Sequence, residues 1–74
     1  MNETQKTVLQ ILNDFEIQNV DSFKDEVNSI TFIELIVELE TTFDIVVDDE
    51  DMLMDKMCSF DKLCHYIEGK VNDV

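Results

Sequence analysis

Across its 74 residues the chain contains no proline and one glycine, Gly69. Proline and glycine are the strongest punctuators of a backbone, so a sequence almost free of them favours helices joined by tight connections. Size adds a second bound. A domain this small buries only about 60% of the surface its unfolded chain exposes, which demands a compact core and leaves little room for an internal pocket. An enzyme of this size would hold its catalytic groups at the surface, where water screens them and substrate geometry is not fixed.

Helical spacing recurs along most of the chain. Asn2-Glu3-Thr4-Gln5 has the form of a capping box, and Val8, Leu9, Ile11, Leu12 and Phe15 gather on one side of a helix expected over 3 to 15. Residues 16 to 28 lose the periodicity but keep Ile17, Val20, Phe23 and Val27, the pattern of a structured loop pinned to a core by isolated apolar anchors. Loops of about 12–15 residues without regular structure tend to serve a function, and this one delivers Asn28-Ser29. The strongest helical signal follows over 29 to 43, where Phe32, Leu35, Ile36, Leu39 and Phe43 form one core stripe. A short helix is expected near 49 to 56, because the acidic run Asp48-Asp49-Glu50-Asp51 suits the positive end of a helix dipole. Ser59 is placed to cap a last helix, 59 to 69, with Phe60, Leu63, Cys64 and Ile67 at helical spacing and Gly69 closing it. The expected fold class is all-α: a small four-helix bundle of three longer helices and one short one, forming a single domain over 1 to 74.

Charge narrows the partners. Lys+Arg number 5 against 18 Asp+Glu, for a formal net charge of -13, and every cation is a lysine. Nucleic acid requires a basic face and draws on bidentate arginine contacts, so it is excluded as a partner. An acidic surface steers basic protein partners instead, over distances that shrink as salt rises. Hydrophobic content of 45% separates the chain from disordered acidic tails. No stretch has the length of a membrane-spanning helix and the N-terminus lacks the pattern of a secretory signal, so no membrane insertion and a cytoplasmic location are expected. Cys58 and Cys64, with only His65 beside them, make neither a disulfide framework nor a zinc set, and read as free thiols at the core. The run at 48 to 51 lacks the glycine of a calcium loop, so no metal site is expected.

Helix 29 to 43 carries more apolar surface than its core stripe uses. Ile30, Ile33 and Val37 form a second strip on another face, bordered by Glu34 on one side and Glu40 on the other. The residues alone leave two explanations open: packing on both faces, or an exposed partner-binding patch with an acidic rim. Of the three serines, Ser22 lies in the long loop, Ser59 at the last helix, and Ser29 at the start of this two-sided helix. Position alone reads Ser29 as a helix cap.

The run Asn28-Ser29-Ile30-Thr31-Phe32-Ile33-Glu34-Leu35-Ile36-Val37-Glu38-Leu39-Glu40-Thr41-Thr42-Phe43-Asp44-Ile45 resembles the signature of the acyl and peptidyl carrier proteins. In that family an Asp-Ser-Leu opens the second helix, a Glu-Leu follows, and an acidic helix ends in Phe-Asp-Ile or similar. Phe23 falls where the family loop has an apolar anchor, and Ser59-Phe60 to Tyr66-Ile67 is similar to the family's closing helix. The spacing is preserved over nearly the whole chain, apart from about two extra residues around Met54 to Met57. Two departures stand out: Asn28 replaces the usual aspartate, and Glu26 replaces a glycine found in many members. Thr31 also occupies a position that is often acidic in fatty-acid carriers.

The resemblance implies an acyl-carrier-protein-like bundle with 4′-phosphopantetheine on Ser29, flanked by Asn28, carrying acyl or aminoacyl groups as thioesters. It implies no catalytic residue, a phosphopantetheinyl transferase as partner, and then adenylating or acyl-loading enzymes and downstream synthases with basic surfaces. Partner recognition falls to Ile30, Ile33 and Val37 for the apolar centre and to Glu34, Glu38 and Glu40 for steering. A monomer is expected. The departures point to a specialised pathway, nonribosomal peptide or polyketide assembly or a relative; a housekeeping fatty-acid carrier and a D-alanyl carrier are the alternatives. A small acidic interaction or inhibitor protein without a prosthetic group is the alternative of another class. Thr31-Phe32-Ile33-Glu34 also forms a capping-box pattern, which leaves open whether the helix begins at 29 or 32.

Overall fold

Helix α1 spans Glu3–Asp14 and opens on the expected capping box: the Gln5 amide donates to Asn2 Oδ1 at 2.8 Å and the Asn2 amide to Gln5 Oε1 at 2.9 Å. A computed structural model of the chain describes residues 1–72. Val8, Ile11 and Leu12 point inward from α1, while Phe15 falls just past its end, half-buried. The helix stops in a Schellman turn. Glu16 takes the left-handed conformation with φ 60, and the amides of Glu16 and Ile17 donate back to the carbonyls of Asn13 and Leu12 at 2.9 and 3.1 Å.

The expected loop carries one 3-10 turn, Lys24–Glu26, and is fastened at several points. Ile17, Phe23 and Val27 are buried as anchors, and Val20 packs against the core from its edge. The Phe23 amide donates to the Cys58 carbonyl at 3.0 Å and the Phe60 amide to the Val20 carbonyl at 2.7 Å, lacing the loop to the segment before the last helix. Glu26 fastens the loop to itself, accepting the amides of Gln18 and Asn19 at 2.7 and 2.8 Å. Glu26 is thus a clamp, and nothing in the sequence signals it.

Helix α2 spans Ser29–Phe43, with Phe32, Leu35, Ile36 and Leu39 buried and Phe43 half-buried, as the core stripe predicts. It ends at Asp44, also left-handed at φ 54. The expected helix at 49 to 56 is not continuous: a 3-10 turn at Asp49–Asp51 and a single-turn α3 at Met54–Met57 are separated by Met52 and an extended Leu53. The backbone there bonds over shorter spans than an α-helix, the Met52 amide donating to the Asp49 carbonyl at 3.2 Å and the Leu53 amide to the Asp51 carbonyl at 2.9 Å, while the Tyr66 hydroxyl of the last helix donates to the Asp51 carboxylate at 3.1 Å. Helix α4, Phe60–Asn72, starts after Ser59, whose hydroxyl accepts the Lys62 amide at 3.1 Å. Gly69 does not close it. The helix runs on through it to Asn72, and in this last turn Lys70 pairs with Asp48 at 3.0 Å and lies over the Tyr66 ring, tying the turn to the loop after α2.

Helix α1 packs against α2 and α4, and α3 against α4. Among the described residues, sixteen apolar side chains from all four helices and their loops close one core, in which Leu12, Phe23, Leu35, Ile36, Leu39, Leu63 and Ile67 are fully enclosed. The radius of gyration, 11.2 Å, matches the roughly 11 Å of a compact chain this long. The architecture is the small all-α bundle that the sequence predicts.

Candidate functional site

Helix α2 begins at Ser29, and the residue that caps it is Asn28: the Thr31 amide donates to Asn28 Oδ1 at 2.8 Å, and the Phe32 amide to the Asn28 carbonyl at 2.9 Å. This resolves the choice between starts at 29 and 32. It also removes the cap role from Ser29, which sits exposed in the first turn with no hydrogen bond to its hydroxyl among the described residues. Beside it the amides of Ser29 and Ile30 precede the first intrahelical bond and have no acceptor within the helix. Val27 is buried one residue before Asn28 and Phe32 three residues after Ser29, so the stretch between them is held at both ends.

The second apolar strip is open to solvent. Ile30 is 71% exposed, Ile33 50% and Val37 50%, which decides against packing on both faces. Glu34 and Glu38 border it, exposed and with no ion pair among the described residues. Glu40 behaves otherwise. It is half-buried and its Oε2 accepts the Val47 amide at 2.8 Å, so it holds the loop after α2, a role the sequence did not suggest. Ile33 and Val37 also line an open groove of about 410 Å³ with Glu34, Glu38, Thr41 and Phe15 from the end of α1. A larger groove, about 640 Å³, runs between α3 and α4, and its rim mixes Asp51, Asp55 and Asp61 with Lys56, Lys62 and His65.

The remaining candidates for chemistry are quiet. Cys58 and Cys64 are free and buried; burial pushes the Cys64 thiol up to about 11, with Glu68 and Asp61 adding to it, and raises Cys58 as well. His65 is exposed on α4, without a hydrogen bond among the described residues. No group of three or more His, Cys, Asp or Glu among the described residues is placed to hold a metal ion, and no helix there is long and apolar enough to cross a membrane.

The family model for phosphopantetheine attachment sites matches residues 6–67, spanning all of α2, the loop before it and most of α1 and α4. The chain belongs to the phosphopantetheine-attachment family. It is a carrier protein, the kind of domain to which 4′-phosphopantetheine is covalently attached. Carriers of this family interact with phosphopantetheinyl transferases and with acyl-handling enzymes. No solved structure gives a significant match to the carrier. The matched span takes in the sequence run from Asn28 to Ile45 as well as Phe23 and the closing helix to Ile67, the same residues on which the resemblance rests.

Proposed function

We propose that Ser29 is the residue that bears the arm, and that the carrier is a non-catalytic substrate for the enzymes that load and unload it. The observation that carries this is the division of labour at the start of α2: Asn28 does the capping, which leaves the Ser29 hydroxyl exposed and unengaged. The other two serines fit less well, since the Ser59 hydroxyl is spent on the Lys62 amide and Ser22 lies outside any helix start.

The residues here fit a serine-linked phosphodiester. The first-turn amides of Ser29 and Ile30, at the positive end of a 15-residue helix, would hold the anion and fix the direction in which the chain leaves the surface. When bound, the arm supplies a terminal thiol that holds an acyl or aminoacyl group as a thioester. Ser29 lacks an imidazole or carboxylate partner, so the carrier does not activate its own nucleophile; the hydroxyl proton leaves to a base of the transferase.

The face of α2 serves as the recognition surface. Its charge works against the helix: the first turn has no acidic residue, the last turn no basic one, and Glu34 and Glu38 stand four apart as like charges. Such a pattern is relieved by a cationic partner. We assign the apolar contact to Ile30, Ile33 and Val37 and the steering to Glu34 and Glu38, with Glu40 supporting the loop beside them. The neutral turn around Ser29, with Asn28 and Thr31 where acids are usual in fatty-acid carriers, favours a specialised assembly pathway, nonribosomal peptide or polyketide.

The test is loading. The protein and Ser29→Ala are incubated with coenzyme A, magnesium and a broad-specificity transferase, and intact mass is measured. The unmutated protein should gain one arm and the variant none. An arm on Ser29→Ala, or none on the parent, would overturn the assignment.

A further inference from the structure

We propose that α1 contributes to partner docking through Phe15, and that the groove it forms with α2 receives one bulky apolar side chain of a partner protein with a lysine or arginine beside it. The inference rests on the reading that the α2 face is where partners bind.

Three observations carry it. First, the exposed strip on α2 is not flat: Ile33 and Val37 form one wall of a groove whose other side includes Phe15. The ring is firmly placed, because the Schellman turn at Glu16 fixes the chain after it and buried Ile17 anchors the next residue. Second, the charge in the groove has one sign. Its lining includes Glu34 and Glu38 and no lysine, and neither carboxylate has an ion pair among the described residues. The larger groove between α3 and α4 differs, since its lining mixes both signs, with Lys56 and Lys62 among three aspartates. Third, Glu40 is turned into the loop toward Val47, so the free carboxylates flank the apolar floor on one side only. An apolar anchor with a cation to that side is the complementary shape.

The probe is a synthetic amphipathic peptide with one leucine flanked by lysines, added to the ¹⁵N-labelled full chain, with a leucine-to-alanine peptide as control. Amide shifts should concentrate at Phe15, Ile33 and Val37. The control peptide, and the variants Phe15→Ala and Thr41→Arg, should each weaken binding about tenfold, the loss expected when one buried aliphatic contact is removed. Thr41 is exposed at the groove, so Thr41→Arg fills it without touching the core and decides the matter if Phe15→Ala does not fold. Equal binding of the two peptides, shifts centred on the acidic run at 48 to 51, or undiminished binding to Thr41→Arg would overturn the proposal. Loading of Ser29, followed by mass on the same samples, separates the two readings. A parent that takes the arm yet ignores the leucine peptide refutes only the groove, and one that takes no arm refutes the assignment of Ser29.

Discussion

The carboxylate of Glu40 accepts the amide of Val47 at 2.8 Å, and so an acidic residue of α2 turns inward to hold the loop that follows it. Its neighbours Glu34 and Glu38 remain in solvent. Glu40→Ala should therefore lower stability by about 1–3 kcal/mol, the cost of leaving a half-buried amide without its charged acceptor. Glu34→Lys and Glu38→Lys should stay within about 0.5 kcal/mol of the parent while slowing transfer of the arm. Urea midpoints and loading rates on the three variants check the division.

Asn28 and Ser29 are adjacent but separable. Removing the cap with Asn28→Ala should cost about 1 kcal/mol. Ser29→Ala should leave the melting temperature almost unchanged while abolishing loading, because its hydroxyl supports nothing in the fold. A Ser29→Ala protein as unstable as Asn28→Ala would mean that the hydroxyl shares the capping.

Two helix ends are built on left-handed residues with side chains, Glu16 at φ 60 and Asp44 at φ 54. Glycine adopts that conformation without the Cβ clash, so Asp44→Gly should stabilise the protein by up to about 1 kcal/mol despite the greater freedom of its unfolded chain. The glycine that the chain does have lies inside α4, where a Cβ would meet nothing within 4 Å. Gly69→Ala should accordingly gain about 0.5–1 kcal/mol. Thermal melts measure both.

The pair between Lys24 and Asp55 joins the long loop to α3. The hydrogen bond and charge of Lys24 hold Asp55 below its ordinary 3.8, and Asp55 in turn raises Lys24 above 10.5. A depressed carboxyl stabilises the fold above its unfolded value and loses that contribution as pH falls through its folded one. A raised ammonium does the reverse, losing its contribution as pH climbs past 10.5. Both groups are exposed, so the effect on stability should be small and diminish with salt. In Lys24→Met the Asp55 carboxyl should titrate in the ordinary range by NMR; an unchanged titration would assign its shift to another cause.

Burial raises the Cys58 and Cys64 thiols above their ordinary value of 9.0, Cys64 up to about 11. Their thiolates form more readily in the unfolded chain, so stability should fall as pH rises past 9, the ordinary value for these groups. The same burial shields them from alkylation. At pH 8 the folded, arm-bearing protein should take one iodoacetamide label, on the arm, and should take further labels on both cysteines only after denaturation. Intact mass and peptide mapping read this directly.

Much of this protein was legible in its amino-acid order. The spacing of Val8, Ile11 and Leu12, and of Phe32, Leu35, Ile36 and Leu39, specified two helices and their buried faces, because helical period and side-chain hydrophobicity are local properties. The second strip of Ile30, Ile33 and Val37 was visible too, but whether it was covered depended on what packed around α2, and only the assembled bundle left it bare. Local signals failed where distant groups intervened. Gly69 does not end its helix, whose last turn holds the pair of Lys70 with Asp48, and the helix expected at 49 to 56 breaks at Met52 and Leu53, just after the Asp51 that Tyr66 contacts. Glu26 and Glu40 acquired their roles from backbone amides across a loop, and Phe15 its place beside Ile33 and Val37 from a neighbouring helix, partners that sequence spacing does not reveal. Periodicity is written residue by residue, whereas a side chain's partner is chosen only once the chain has closed on itself.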